Sequence, residues 1–236
     1  EVILPADAVR RTELQTALNT LTLTPDTSTL IPSEPAALGL VRTQRLEALN
    51  TSAWTNSIGV LFVTGEVRNN TETPLTRIPV TVTLLDTRGG VLLEASDFVM
   101  GHGIAPGGFA PFSLRFGEGL PNDATRFMVR LGAGEPLPNE TRLYGAGTLE
   151  WEQESTFTPE NHLLITGTLT NRRDFAVNQL IAHVTVFDAQ GRVIGAWISP
   201  IQDAPLLGGD SVPFEVRVLE LDSAPANYIL DIQGLG

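Results

Sequence analysis

Apolar and polar residues alternate with a period of two through most of the chain beyond about residue 44. Leu61, Val63, Gly65 and Val67 alternate with Phe62, Thr64, Glu66 and Arg68, and Ile78, Val80, Val82 and Leu84 alternate with Pro79, Thr81, Thr83 and Leu85. Successive side chains of a strand point to opposite faces, so this period predicts strands with one buried and one wet face. Asp86-Thr-Arg-Gly89 and Asp188-Ala-Gln-Gly191 each follow such a run and precede another, which predicts hairpin turns: Asp caps the turn and Gly accepts a positive φ. Ala105–Gly108 and Leu207–Asp210 read as further turns, and later strands run through Phe112, Leu114 and Phe116 and through Phe214, Val216 and Val218. Closing strands pass through Phe127, Val129 and Leu131 and through Tyr228, Leu230 and Ile232, with first strands near Gln44–Leu49 and Gly147–Gln153.

The runs come in two copies. A constant shift of 102 residues pairs Thr64 with Thr166, Gly65 with Gly167, Asn69 with Asn171, Asp86 with Asp188, Gly107 with Gly209 and Phe112 with Phe214, giving 13 identities in the 57 pairs from residue 60 to 116. Self-similarity at a fixed spacing implies a duplicated unit. Six or seven strands in about 100 residues match an immunoglobulin-like sandwich. The predicted fold is all-β, with an N-terminal extension over residues 1–37 and tandem immunoglobulin-like β-sandwich domains over 38–135 and 136–236.

Both copies resemble the FxLYD domains. The matching segments are Val82-Thr-Leu-Leu-Asp86 and Val184-Thr-Val-Phe-Asp188, preceded by Gly-x-Val-x-Asn (Gly65 to Asn69) and Gly-x-Leu-x-Asn (Gly167 to Asn171) and followed by a Pro-Phe strand. The likeness covers roughly residues 58–131 and 160–232. It implies immunoglobulin-like sandwiches of exported bacterial and archaeal proteins, and it carries no catalytic residue.

Residues 1–37 have no counterpart in the second copy. They hold Val2-Ile3-Leu4, a predicted short helix from Ala6 to about Leu21 with Val9, Leu14, Ala17, Leu18 and Leu21 near one face, and a stretch punctuated by Pro25, Pro32 and Pro35. A segment this short cannot bury its own apolar residues. Two arrangements shelter them: packing along its own first domain, or docking on a neighbouring subunit to complete that subunit's sheet. In the second, Val2, Ile3 and Leu4 are subunit-interface residues and the product is a homopolymer.

Composition narrows the chemistry. With 236 residues, 42% of them hydrophobic, the chain can bury a core and lies outside the disordered class. Its net charge of −12 and the absence of any basic run argue against nucleic acid, and no apolar stretch is long enough to span a membrane. There is no cysteine, which removes disulfides and thiolate chemistry. All 15 bases are arginine, which removes Schiff-base chemistry and isopeptide crosslinks. The first residue is Glu1 rather than Met, which fits loss of a targeting peptide and makes secretion the expectation.

Candidate chemical groups are sparse. His102, His162 and His183 have no second histidine at metal-ligand spacing. Glu150, Glu152 and Glu154 share one face of a strand, which reads as a calcium-collecting trio or a solvated face. Asn50, Asn69 and Asn139 begin glycosylation sequons. Trp54, Trp151 and Trp197 suit sugar stacking, or else the core or a domain junction. No Gly-x-Ser-x-Gly elbow occurs. No catalytic, cofactor or metal site is expected. The reading is a non-enzymatic extracellular structural protein that forms a surface filament with other copies of itself by strand addition. The alternative is a monomeric cell-surface or periplasmic module that recognises carbohydrate or protein.

Overall fold

The alternating runs fold as strands. The computed structural model describes residues 31–32, 45–158 and 162–236, and every regular element among them is β. In chain order these are β1 (Ile31–Pro32), β2 (Leu46–Thr55), β3 (Leu61–Asn69), β4 (Leu75–Thr76), β5 (Pro79–Leu85), β6 (Val91–Phe98), β7 (Phe109–Phe116) and β8 (Arg126–Leu131). They continue as β9 (Glu135–Pro136), β10 (Leu143–Tyr144), β11 (Leu149–Phe157), β12 (Leu163–Asn171), β13 (Asn178–Phe187), β14 (Val193–Gln202), β15 (Ser211–Val218) and β16 (Asn227–Leu235). The helix expected over residues 6–21, and Val2, Ile3 and Leu4, lie outside the described residues.

The strands form sandwiches. In the first half the sheet β1-β8-β5-β6 faces β2-β3-β7 across a core that includes Val63, Val67, Val80, Val82, Phe112 and Phe127. In the second, β10-β16-β13-β14 faces β11-β12-β15 across Ile165, Leu169, Val184, Val186, Phe214 and Leu230. The small β4-β9 pair completes the first half. The 102-residue shift carries β3 onto β12 and β7 onto β15 end to end.

The residues identical between the copies explain themselves physically. Asn69 is fully buried, and its amide donates to the carbonyls of Thr73 (2.9 Å) and Ile104 (2.9 Å). Asn171 donates to Phe175 (2.7 Å) and Leu206 (3.0 Å), so each Asn ties the β3 or β12 end to two loops and satisfies its own buried amide N–H groups in doing so. Gly65 stands opposite Phe112, and Gly167 opposite Phe214, with the phenyl ring lying over the glycine; an added Cβ would sit 2.7 Å from the ring in both. Asp86 and Asp188 accept backbone N–H bonds two and four residues ahead, and Gly89 and Gly191 take φ of 83° and 76° as the hairpins require.

One sequence expectation is corrected. β3 has no wet face: Phe62, Thr64 and Glu66 are buried along with Leu61, Val63 and Val67, whereas the equivalent β12 leaves Thr166 and Thr168 exposed. The outer face of β2-β3-β7 is covered by the second half, so the two sandwiches stack and their four sheets form consecutive layers.

Replacing Asn69 or Asn171 by Ala removes the hydrogen bonds that tie two loops to the strand end and is expected to cost about 1–3 kcal/mol each in denaturant unfolding. Gly65→Ala and Gly167→Ala overpack the Phe ring and should cost about 1–3 kcal/mol. Equal stability of either glycine variant with the wild type contradicts this account of the repeat.

Candidate functional site

Two features of the stack are surfaces that act on something outside a single sandwich: the margin of β8 and the joint between the halves. β8 pairs antiparallel with β5 on one side. On the other, Ile31 pairs with Arg126 and Pro32 with Phe127, in parallel. Among the described residues nothing else pairs with that margin, so the stretch Met128–Leu131 presents strand edge. The second half treats the corresponding edge of β16 differently, because β10 joins it antiparallel, with Leu143 opposite Leu235 and Tyr144 opposite Gly234. In both halves the covering segment comes from the chain just ahead of the first long strand.

The joint brings outward positions of β2, β3 and β7 against outward positions of β13 and β14. Ser52 and Thr64 hydroxyls both donate to the carbonyl of Val193, which projects at a bulge where the β13–β14 register shifts. Asn56 donates to Glu220 Oε1 (3.2 Å). The loop 101–103 docks on the second half: Gln233 donates to the Gly103 carbonyl (3.0 Å) and accepts from the His102 N–H (3.0 Å), and His102 Nε2 lies 2.5 Å from the Gln179 carbonyl. His183 is buried beneath this loop with Nε2 3.0 Å from Asp231 Oδ2. Together these polar contacts favour one arrangement of the two faces.

At one edge the faces part into a cleft of ≈ 230 Å³ lined by Trp54, Phe62, Arg115, Trp197, Ile198 and Glu220 among others. Trp54 and Phe62 stack at 4.4 Å, and the Arg115 guanidinium lies 5.8 Å from the Phe62 centroid. The cleft is smaller than the roughly 300 Å³ at which sites for drug-sized ligands begin, so it has room for about one ring. Beyond the cleft, burial pushes the Asp222 carboxyl above its ordinary range, against the pull of Arg192 and with a smaller push from Asp188.

The residues singled out by sequence are dispersed. His102 and His183 meet at the joint, while His162 sits at the start of β12. Glu150, Glu152 and Glu154 line the exposed outer face of β11, and no group of three or more potential ligands able to hold a metal occurs among the described residues. Of the sequons, Asn69 is buried, Asn50 donates to Glu66 Oε2 (3.0 Å), and Asn139 is exposed. Trp151 packs on the second core, and Trp54 and Trp197 line the cleft. Among the described residues no helix is long and apolar enough to cross a membrane.

Sequence reasoning passed over Ser52, Asn56, Gln179, Glu220 and Gln233. A signal existed in the contrast between copies, since the outward pair Thr81 and Arg130 of the first half is His183 and Asp231 in the second.

No protein-family model matches the chain, and no curated protein matches it. Solved structures give distant likenesses. Red sea bream transglutaminase aligns at 10% identity and TM-score 0.28, over 83% of this chain but 31% of that one, so this chain spans about a third of its length. The CBM22-1–CBM22-2 tandem domain of Paenibacillus barcinonensis Xyn10C aligns at 13% identity and TM-score 0.19, over 80% and 74% of the two chains. The infectious bursal disease virus VP2 subviral particle aligns at 11% identity and TM-score 0.15, over 96% and 71%.

Because Gln233 accepts the His102 N–H and donates to the buried Gly103 carbonyl across the joint, Gln233→Leu is expected to cost about 2–3 kcal/mol. Scanning calorimetry should show one transition for the wild type and two for the variant. A single unshifted transition in Gln233→Leu contradicts the joint as the element that couples the halves.

Proposed function

We propose that this chain is a non-enzymatic, extracellular structural protein that assembles with copies of itself into a filament, its N-terminal extension adding a strand to the sheet of a neighbour. The observation that carries the reading is the pairing of Ile31–Pro32 with the margin of β8. Within one chain this is a contact between the extension and its own sheet. The 13 residues from 33 to 45 separate that strand from β2 and can extend to about 45 Å. The same backbone bonds can therefore form on a second copy at little cost, as in domain swapping. A swap of this kind is heterologous: each copy donates at one end and accepts at another, and an open chain of copies results unless the rotation closes.

A second reading has its own support. The aromatic cleft with Arg115 and Glu220 at the joint suits a monomeric module that recognises carbohydrate or protein through a ring-sized feature. Light scattering separates the two. Assembly predicts a mass that rises with concentration for the full chain, and folded monomers after deletion of residues 1–37. Polymers that persist after the deletion remove the extension as connector, and a full chain that stays monomeric at every concentration favours the binding module.

A further inference from the structure

The internal joint is a contact between two unlike faces, and each of those faces has an unused equivalent at an open end of the stack. The outer face of β11-β12-β15 corresponds to the face of β2-β3-β7 that the joint buries. The outer face of β8-β5-β6 corresponds to the buried face of β16-β13-β14. We infer that successive copies also stack face to face, the outer face of β11-β12-β15 of one copy lying on the outer face of β8-β5-β6 of the next, in a repetition of the internal joint. This rests on the self-assembly reading and adds a second contact to the strand exchange.

Three observations carry it. First, the bulge that projects the Val193 carbonyl into the joint recurs in the first half, where the β5–β6 register shifts between Leu84 and Leu85. There Val91 takes the place of Val193, and it is 66% exposed where Val193 is 0%. An isolated exposed valine on a hairpin is ordinary; one whose repeat partner is the centre of a buried joint is an unfilled contact. Second, the hydroxyl that meets Val193 has its counterpart in Thr166, exposed at the other end of the stack.

Third, the two faces carry opposite charge. Outward positions of β11, β12 and β15 hold four acids, Glu150, Glu152, Glu154 and Glu215, and one base, Arg217, a sum of −3. Outward positions of β5, β6 and β8 hold Arg126 and Arg130 against Glu94, a sum of +1. In a molecule of net charge −12, a basic face is where an acidic face of another copy is least repelled. Exposed charge pairs are individually weak, so the stack orients and strengthens the strand-exchanged polymer rather than holding it alone, and it weakens with salt.

The experiment measures by light scattering the concentration at which full-length protein assembles. Charge is reversed on one face by Glu152→Arg with Glu154→Arg, and on the other by Arg126→Glu with Arg130→Glu. Each double variant is expected to raise that concentration by about tenfold. An equimolar mixture of the two variants should bring it back towards the wild-type value, because every contact in an alternating stack of the two again joins opposite charges. The rescue also guards against misfolding, since a misfolded variant cannot be restored by mixing. Unchanged assembly in both variants, or failure of the mixture to recover, overturns the stacking while leaving strand exchange in place. A wild-type chain that never assembles overturns the self-assembly reading and the stacking with it.

Discussion

Everything distinctive about this molecule depends on the burial of one sheet face against another. The outer face of β2-β3-β7 is where a sandwich ordinarily meets water, yet it is covered by β13 and β14 of the second half. Sealing a sheet face removes Phe62 and Trp54 from solvent, and together with Val60 they form a small third cluster distinct from both cores. It also forces Thr64, Ser52 and Glu66 to find partners inside the protein, which the Val193 carbonyl and the Asn50 amide provide. The hydrophobic part of this contact is non-directional. The hydrogen bonds at Val193, Gln233 and Asn56 set the register of one face on the other.

The same burial accounts for an asymmetry between copies that share a plan. β12 keeps the alternation of a half-wet strand, with exposed threonines between buried leucine and isoleucine, while β3 is buried throughout. Both strands carry the Gly-Phe pair and the buried Asn that build a sandwich. What differs is the outward set, and that set records whether a neighbour covers the face. A duplicated unit thus yields one joint and two open ends, and the open ends keep fragments of the joint's chemistry in Val91 and Thr166.

The fold was legible because its signals are local and periodic. Alternation locates the strands, turn chemistry marks the Asp-x-x-Gly hairpins, and the fixed shift of 102 residues aligns β3 with β12. The joint was not legible in the same way. Phe62 alternates with Leu61 and Val63 whether water or protein lies beyond it, so the period of two does not tell a wet face from a covered one, and the wet face expected of β3 is covered. The residues that decide the joint are single polar groups, Ser52, Asn56 and Gln233, each unremarkable in its own strand. Their partners lie more than 100 residues away in the chain. Such pairings leave no periodic trace. The contrast between copies at matched outward positions carries the only hint.

Nuclear Overhauser contacts between the methyl groups of Thr64 and Val193 test the central claim, the sealed joint, most directly. The account predicts strong cross-peaks between these residues and a single rotational correlation time for both halves. Absence of the cross-peaks, with the halves tumbling at separate rates, would contradict it.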